Sequence, residues 1–139
     1  GLQSKLTLGN LNAKRDWGFA GDYVDGMYKI LDYSEPEDWV IATGSAHSVE
    51  NFAKIAFNLI DKNYEDYIET SERYLRPNEV NYLLGDPAKA NKLLNWKSST
   101  SFEELIKLMV ESDIEIATKE KMLLDNGLIK PTWENPIVN

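Results

Sequence analysis

The sequence has no cysteine, a single histidine and only three arginines. Without cysteine, disulfides, thiolate catalysis and zinc-finger ligation are excluded, and a reducing, cytoplasmic setting fits. The lone His47 has no second histidine with which to share a metal, and beside Ser48 it reads as a solvated residue at a helix start. No stretch of about 18 apolar residues occurs, and no basic-then-apolar leader, so neither a membrane span nor a signal peptide is expected. The formal net charge of −8 argues against nucleic acid, whose binding rests on neutralising phosphates with a basic surface. No glycine-rich G-x-G-x-x-G turn follows a strand candidate, so no dinucleotide cradle is encoded. No tyrosine is followed at four residues by a lysine. On its own the chain has no credible catalytic engine, and no catalytic residue is assigned.

At 139 residues, with 42% apolar and 27% charged residues, the chain is one domain's worth of ordinary globular composition. It begins on Gly1 rather than methionine, which reads either as a removed tag or as a piece of something longer. A short strand is expected over Lys5–Leu8, ending in the Gly9-Asn10 turn. From Asp22 the pattern is helical, with Tyr23, Val24, Met27, Ile30 and Leu31 on one face, stopped by Pro36. Trp39–Thr43 reads as a compact strand closed by Gly44. Ser48 caps a second helix whose buried stripe is Val49, Phe52, Ala53, Ala56, Leu59 and Ile60. Asp61–Pro77 reads as loop with a short strand near Tyr67-Ile68. Asp86-Pro87 opens a short helix to about Leu94. Ser101 with Glu104 forms a capping box for a last helix carrying Phe102, Leu105, Ile106, Met109 and Val110 inward, until Gly127. Regular structure is expected to about residue 127, with an irregular tail over 128–139. The class is mixed α/β, helix-heavy, in a single unit over 1–139.

The three arginines sit in two aromatic-rich, turn-rich stretches, whereas the twelve lysines are scattered. Arginine's planar fork grips a phosphate or carboxylate with two parallel bonds, which a lysine cannot do. Arg15 either clamps a phosphate or pairs with Asp16 or Asp22 to brace its turn. Arg76, extended before Pro77, and Glu79 either grip a phosphate and a ribose hydroxyl together or pair with each other. Arg73 reads as structural, stacked on Tyr74. The acid pairs Glu37-Asp38 and Glu103-Glu104 fall at turns or helix starts, where negative charge is locally favoured. The tryptophans Trp17, Trp39, Trp96 and Trp133 read as packing residues, with Trp17 also placed to shape a pocket beside Arg15.

Taken together, the segments Gly1–Gln3, Leu8–Asn10, Ala13–Gly18 and Gly21–Val24 resemble the C-terminal half of GDP-mannose 4,6-dehydratases. Glu37-Asp38, Val40–Gly44, His47–Val49, Arg73–Pro77, Glu79-Val80, Leu84–Pro87, Leu94–Lys97 and Phe102–Leu105 extend the resemblance, in order, to about Gly127. The resemblance implies the helix-rich, substrate-binding C-terminal part of an extended Rossmann-type dehydratase, with its glycine-rich dinucleotide half absent from this chain. It implies conversion of GDP-mannose to GDP-4-keto-6-deoxymannose on the way to GDP-fucose, with NADP held mainly by an upstream domain. It further implies that Arg15 and Arg76 contact the GDP pyrophosphate, that Glu79 reaches the guanosine ribose, and that Leu8 and Asn10 line the nucleotide pocket. The implied partners are GDP-mannose, the chain's own N-terminal dinucleotide-binding domain and further copies in a dimer or tetramer. The helix after Asp22 and the strand near Val40 would pack on that upstream domain, leaving apolar surface exposed without it.

Overall fold

Strands of three residues cannot carry a sheet alone, and here they are pinned in two separate pairs by connections far apart in sequence. The computed structural model describes residues 2–75 and 77–130. Its elements are β1 (Leu6–Leu8), β2 (Lys14–Asp16), α1 (Ala20–Leu31), β3 (Ala46–Ser48), α2 (Val49–Asn58), β4 (Ile68–Thr70), α3 (Ala88–Leu93) and α4 (Phe102–Asp125). β1 runs parallel to β4, with Leu6 opposite Ile68 and Leu8 opposite Thr70. β2 runs antiparallel to β3, with Arg15 opposite His47. The far side of β2 takes up the segment after residue 79: the Lys14 amide donates to the Asn81 carbonyl at 2.8 Å, and the Leu83 amide to the Lys14 carbonyl at 3.1 Å.

The core has two parts. In one, Ala90, Leu94 and the fully buried Trp96 are covered by Tyr23, Ile30, Tyr33, Trp39 and Ile41. Gly26 makes this approach possible: a Cβ there would lie 3.1 Å from Trp96 Nε1 and 3.3 Å from Ile41 Cδ1. In the other, Phe102, Leu105 and Ile106 of α4 and Ala53 of α2 are buried. Aromatic rings extend this second part, Phe52 packing edge-on to Phe102 and Trp17 tilted against Phe52 at 5.0 Å.

Helix starts follow the chemistry of their first residues. Ser48 Oγ accepts from the Asn51 amide at 3.1 Å. Ser101 and Glu104 form the full reciprocal capping box, with both amides satisfied. Asp86 accepts from the Ala88 amide at 2.9 Å, one residue outside the cap position, because α3 begins at Ala88 with Pro87 as its cap rather than as its first helical residue. α4 ends in a reversal at Gly127, whose φ of +68° is one a side chain would strain.

Four expectations need correction. Trp39–Thr43 is not a strand; it runs as an irregular segment whose end is held by the Thr43 amide on the Asp16 carboxylate, while the strand lies later, at Ala46–Ser48. The apolar stripe of α1 divides: Tyr23 and Ile30 turn to the core with Gly26 between them, while Val24, Met27, Tyr28 and Leu31 point outward, Leu31 at 85% exposed. Two apolar stripes lie side by side on this helix, and periodicity alone cannot say which faces in. α2 ends at Asn58, so Leu59 and Ile60 fall beyond it and are exposed. His47 is not solvated at a helix start; it sits in β3, half-buried, its ring stacked on Phe102 at 3.8 Å. The expected tail lies partly outside the described residues, as does Trp133.

Candidate nucleotide site

β2 alternates its side chains, and each of its last two has a distinct task. Asp16 points toward the loops: Oδ1 accepts from the Thr43 amide (2.9 Å) and hydroxyl (2.6 Å), and Oδ2 from the amides of Gly44 (3.0 Å) and Gly85 (3.3 Å). Arg15 points the other way. Its Nη1 donates to the carbonyls of Lys14 at 2.8 Å and Val80 at 2.6 Å, and its Nη2 is ion-paired with the Glu79 carboxylate. Neither acid nearest in sequence is its partner, because Asp16 is engaged as above and Asp22 holds another loop. The two side chains are 27% and 20% exposed, so the pair is largely shielded from water while still reached by it.

Asp22, in the first turn of α1, accepts from the hydroxyls of Ser98 (3.0 Å) and Ser99 (2.7 Å) and from the amides of Ser99 (3.0 Å) and Thr100 (2.9 Å). Burial pushes its pKa upward, and the hydrogen bonds led by the Ser99 hydroxyl and the Thr100 amide outweigh it, lowering it to about 2. Burial first, then the charges of Asp16 and Asp22, push the Tyr23 hydroxyl up, so it stays protonated.

Asn10 joins the same neighbourhood from β1. Its Nδ2 donates to Asn81 Oδ1 at 3.2 Å, and its Oδ1 accepts from the Asn12 amide at 3.0 Å, closing the turn on itself. Leu8 ends β1, half-buried, and its carbonyl accepts from the Ser71 amide at 3.0 Å. Gly9 then passes against Tyr74, where a Cβ would lie 2.5 Å from the carbonyl oxygen. Beside this crossing is a cavity of about 320 Å³, lined among others by Asn10, Asn12, Ser71, Glu72 and Leu75. It lies at the carboxyl ends of the parallel strands β1 and β4, the edge where open α/β sheets receive ligands.

Asn10, Arg15 and Glu79 are thus brought together through Val80 and Asn81, and Leu8 stands at the end of the strand leading to them. Arg76 lies outside the described residues. Arg73 stacks loosely over its neighbour Tyr74, 6.0 Å from the ring centre. Sequence reasoning missed Asn81 and the Val80 carbonyl, which position two of the expected residues; a backbone carbonyl leaves no signature in a sequence. It also missed a polar cavity of about 230 Å³ between Trp17, Ser45, His47, Thr100 and Glu103.

The acid pairs serve structure: Lys89 bonds the Glu37 carboxylate at 2.5 Å and the Asp38 carbonyl at 2.8 Å, and Glu104 caps α4. After β1 the chain turns through Gly9 into β2 instead of into a helix. The start of α2 meets the loop after that turn, but its Val49 and Glu50 amides are taken by the Ala13 and Leu11 carbonyls at 3.1 and 2.9 Å, so they are not free to receive a dinucleotide pyrophosphate. Among the described residues no helix is long and apolar enough to cross a membrane.

Comparison with known proteins sets this geometry in context. The family model of GDP-mannose 4,6 dehydratase matches residues 1–109. The chain is 50% identical to GDP-mannose 4,6 dehydratase 2 of Arabidopsis thaliana over 127 residues, which cover 91% of this chain and 34% of the relative. It is 42% identical to the human GDP-mannose 4,6 dehydratase over 128 residues, covering 80% of this chain and 34% of that one. The chain spans about a third of the length of these curated relatives. Among solved structures, UDP-glucose 4-epimerase of Thermotoga maritima with UDP-glucose superposes with a TM-score of 0.70 at 23% identity, over 81% of this chain and 36% of that one. The dTDP-glucose 4,6-dehydratase of Bacillus anthracis in complex with NAD gives 0.68 at 18% identity, over 78% and 34%. These two likenesses bear on the fold, which is that of the dehydratases and epimerases of this architecture.

Proposed function

From the premise that this chain belongs to the GDP-mannose 4,6 dehydratase family, we propose that it is the nucleotide-sugar-binding part of such an enzyme. The whole protein turns GDP-mannose into GDP-4-keto-6-deoxymannose and water. NADP and the groups that move protons and hydride are held by the other two thirds. Within this chain Arg15 and Arg76 take the pyrophosphate, Glu79 takes the guanosine ribose, and Leu8 and Asn10 line the nucleotide pocket.

One observation carries the reading: a largely shielded arginine and carboxylate, held by backbone carbonyls, are tied through Val80, Asn81 and Asn10 to a cavity that Asn10 lines at the carboxyl edge of two parallel strands. Arg76 follows Leu75, which lines that cavity. A diphosphate asks for guanidinium forks, because each can satisfy two oxygens. The test is titration calorimetry of GDP-mannose into the full-length protein, with Arg76→Ala and Arg15→Ala beside it. Removal of either fork is expected to weaken binding by about 1.5–3 kcal/mol, the range for hydrogen bonds to charged groups. An affinity unchanged in both would remove the arginines from the site and with them this reading.

The outward face of α1 completes the proposal. Val24, Met27, Tyr28 and Leu31 present an apolar stripe that the dinucleotide-binding domain of the same protein covers. Assembly into dimers or tetramers belongs to the same reading and is measured by sedimentation.

A further inference from the structure

We infer that Glu79 is a selectivity latch on Arg15, released only by a ligand that brings both a phosphate and a pair of neighbouring hydroxyls. The inference rests on the nucleotide-sugar reading of the site and goes one step beyond it. Nη1 of Arg15 donates to two backbone carbonyls, those of Lys14 and Val80, which fixes the plane of the guanidinium. The edge left for an incoming anion is that of Nη2 and Nε. That is the edge on which Glu79 already sits. A phosphate oxygen and the Glu79 carboxylate therefore compete for one place, and like charges cannot share it at close range without a large cost.

What happens to the displaced carboxylate decides which ligands enter. Glu79 cannot follow its backbone away, because the next residue's carbonyl is on Arg15 and Asn81 is bonded to both Lys14 and Asn10. Only the side chain can turn. Left half-buried beside an anion, it needs new donors, and two adjacent ribose hydroxyls supply them, one to each oxygen. Inorganic pyrophosphate supplies none. The latch thus turns away bare phosphates and admits a nucleoside diphosphate with its ribose intact. Glu79 acts on the phosphate through Arg15, as a positioning residue, and on the sugar directly.

The experiment compares inorganic pyrophosphate, GDP and a GDP analogue lacking both ribose hydroxyls, titrated into full-length wild-type, Glu79→Gln, Glu79→Asp and Arg15→Ala proteins. Circular dichroism and melting confirm that each variant folds. Glu79→Gln is expected to bind pyrophosphate about tenfold more tightly, since a competing charge has gone from a charge-assisted bond. Its preference for GDP over the hydroxyl-free analogue should fall to near equality, while Glu79→Asp, which keeps the charge, should retain the preference. Unchanged or weaker pyrophosphate binding in Glu79→Gln overturns the latch, and a retained preference for the hydroxyls overturns its second half. If Arg15→Ala abolishes GDP binding while Glu79→Gln changes nothing, the latch alone falls. If Arg15→Ala leaves GDP binding intact, the nucleotide reading itself falls.

Discussion

Two aspartates show how much a single short side chain can organise. Asp16 gathers donors from residues 43, 44 and 85, and so ties two otherwise separate loops onto β2. Replacing it with alanine leaves those amides unpaired; a loss of about 2–3 kcal/mol is expected, read from urea unfolding midpoints. Asp22 offers a sharper test because its ionisation is visible. Its native pKa of about 2 lies below the ordinary 3.8, so the carboxylate stabilises the fold fully above pH 3.8 and loses that contribution as pH falls toward 2. The difference in melting temperature between wild type and Asp22→Asn should be constant near neutrality, shrink between pH 4 and 2, and close below. A difference that survives to the lowest pH would mean that geometry, not charge, sets its value. Neither role was legible beforehand. Asp16 and Asp22 read as possible partners of Arg15, because short-range spacing was the only guide, and their true partners lie 27 to 78 residues away.

At the scale of elements, the sequence was most informative where local chemistry decides. The Ser101-Glu104 box, the Ser48 cap and the stop at Gly127 were each readable from residues within four positions, and each is formed, whereas α3 starts one residue later than its Asp86-Pro87 signal, with Pro87 as its cap. Ser101→Ala should cost about 1 kcal/mol, seen as a lowered melting temperature with no change in ligand binding. Strands were less legible. β2 and β3 are three residues each and carry lysine, arginine, aspartate and histidine, so no alternation of apolar residues announces them. Trp39–Thr43 has the composition of a strand and lacks a partner among the described residues. α1 gives the clearest case of opposing effects at one position. Gly26→Ala gains about 1 kcal/mol of helix propensity, against contacts that require Trp96 and Ile41 to give by tenths of an ångström, so a near-neutral outcome is expected. Gly26→Val cannot be accommodated so and should destabilise by about 2–3 kcal/mol. Equal melting temperatures for both variants would show that the helix moves freely against Trp96.

Over the whole molecule, the candidate site was legible in part. Arg15, Glu79 and Asn10 were singled out by residue type and by resemblance, and the structure gathers them; that Glu79 would close on Arg15, 64 residues away, was not foreseeable from the sequence. The resemblance also led to the expectation of uncovered apolar surface, and Val24, Met27, Tyr28 and Leu31 stand open on α1. The 139-residue chain taken alone should therefore self-associate at high concentration and bind a hydrophobic dye. Replacing Val24 and Leu31 together with glutamate should restore monomers in sedimentation while changing the unfolding midpoint little, since neither side chain is buried.

The parallel pairing of β1 with β4, and of β2 with the strand-like segment at Asn81, has a temporal consequence. Arg15 and the Val80 carbonyl that fixes it are 65 residues apart, so the helices α1 and α2 can form early while the corner around Arg15 waits for a long loop to close. On a ribosome, the first half of this corner emerges seconds before its second half, at roughly 5–20 residues per second. During that interval Arg15 lacks both the Glu79 carboxylate and the Val80 carbonyl, and its corner closes only once they have emerged.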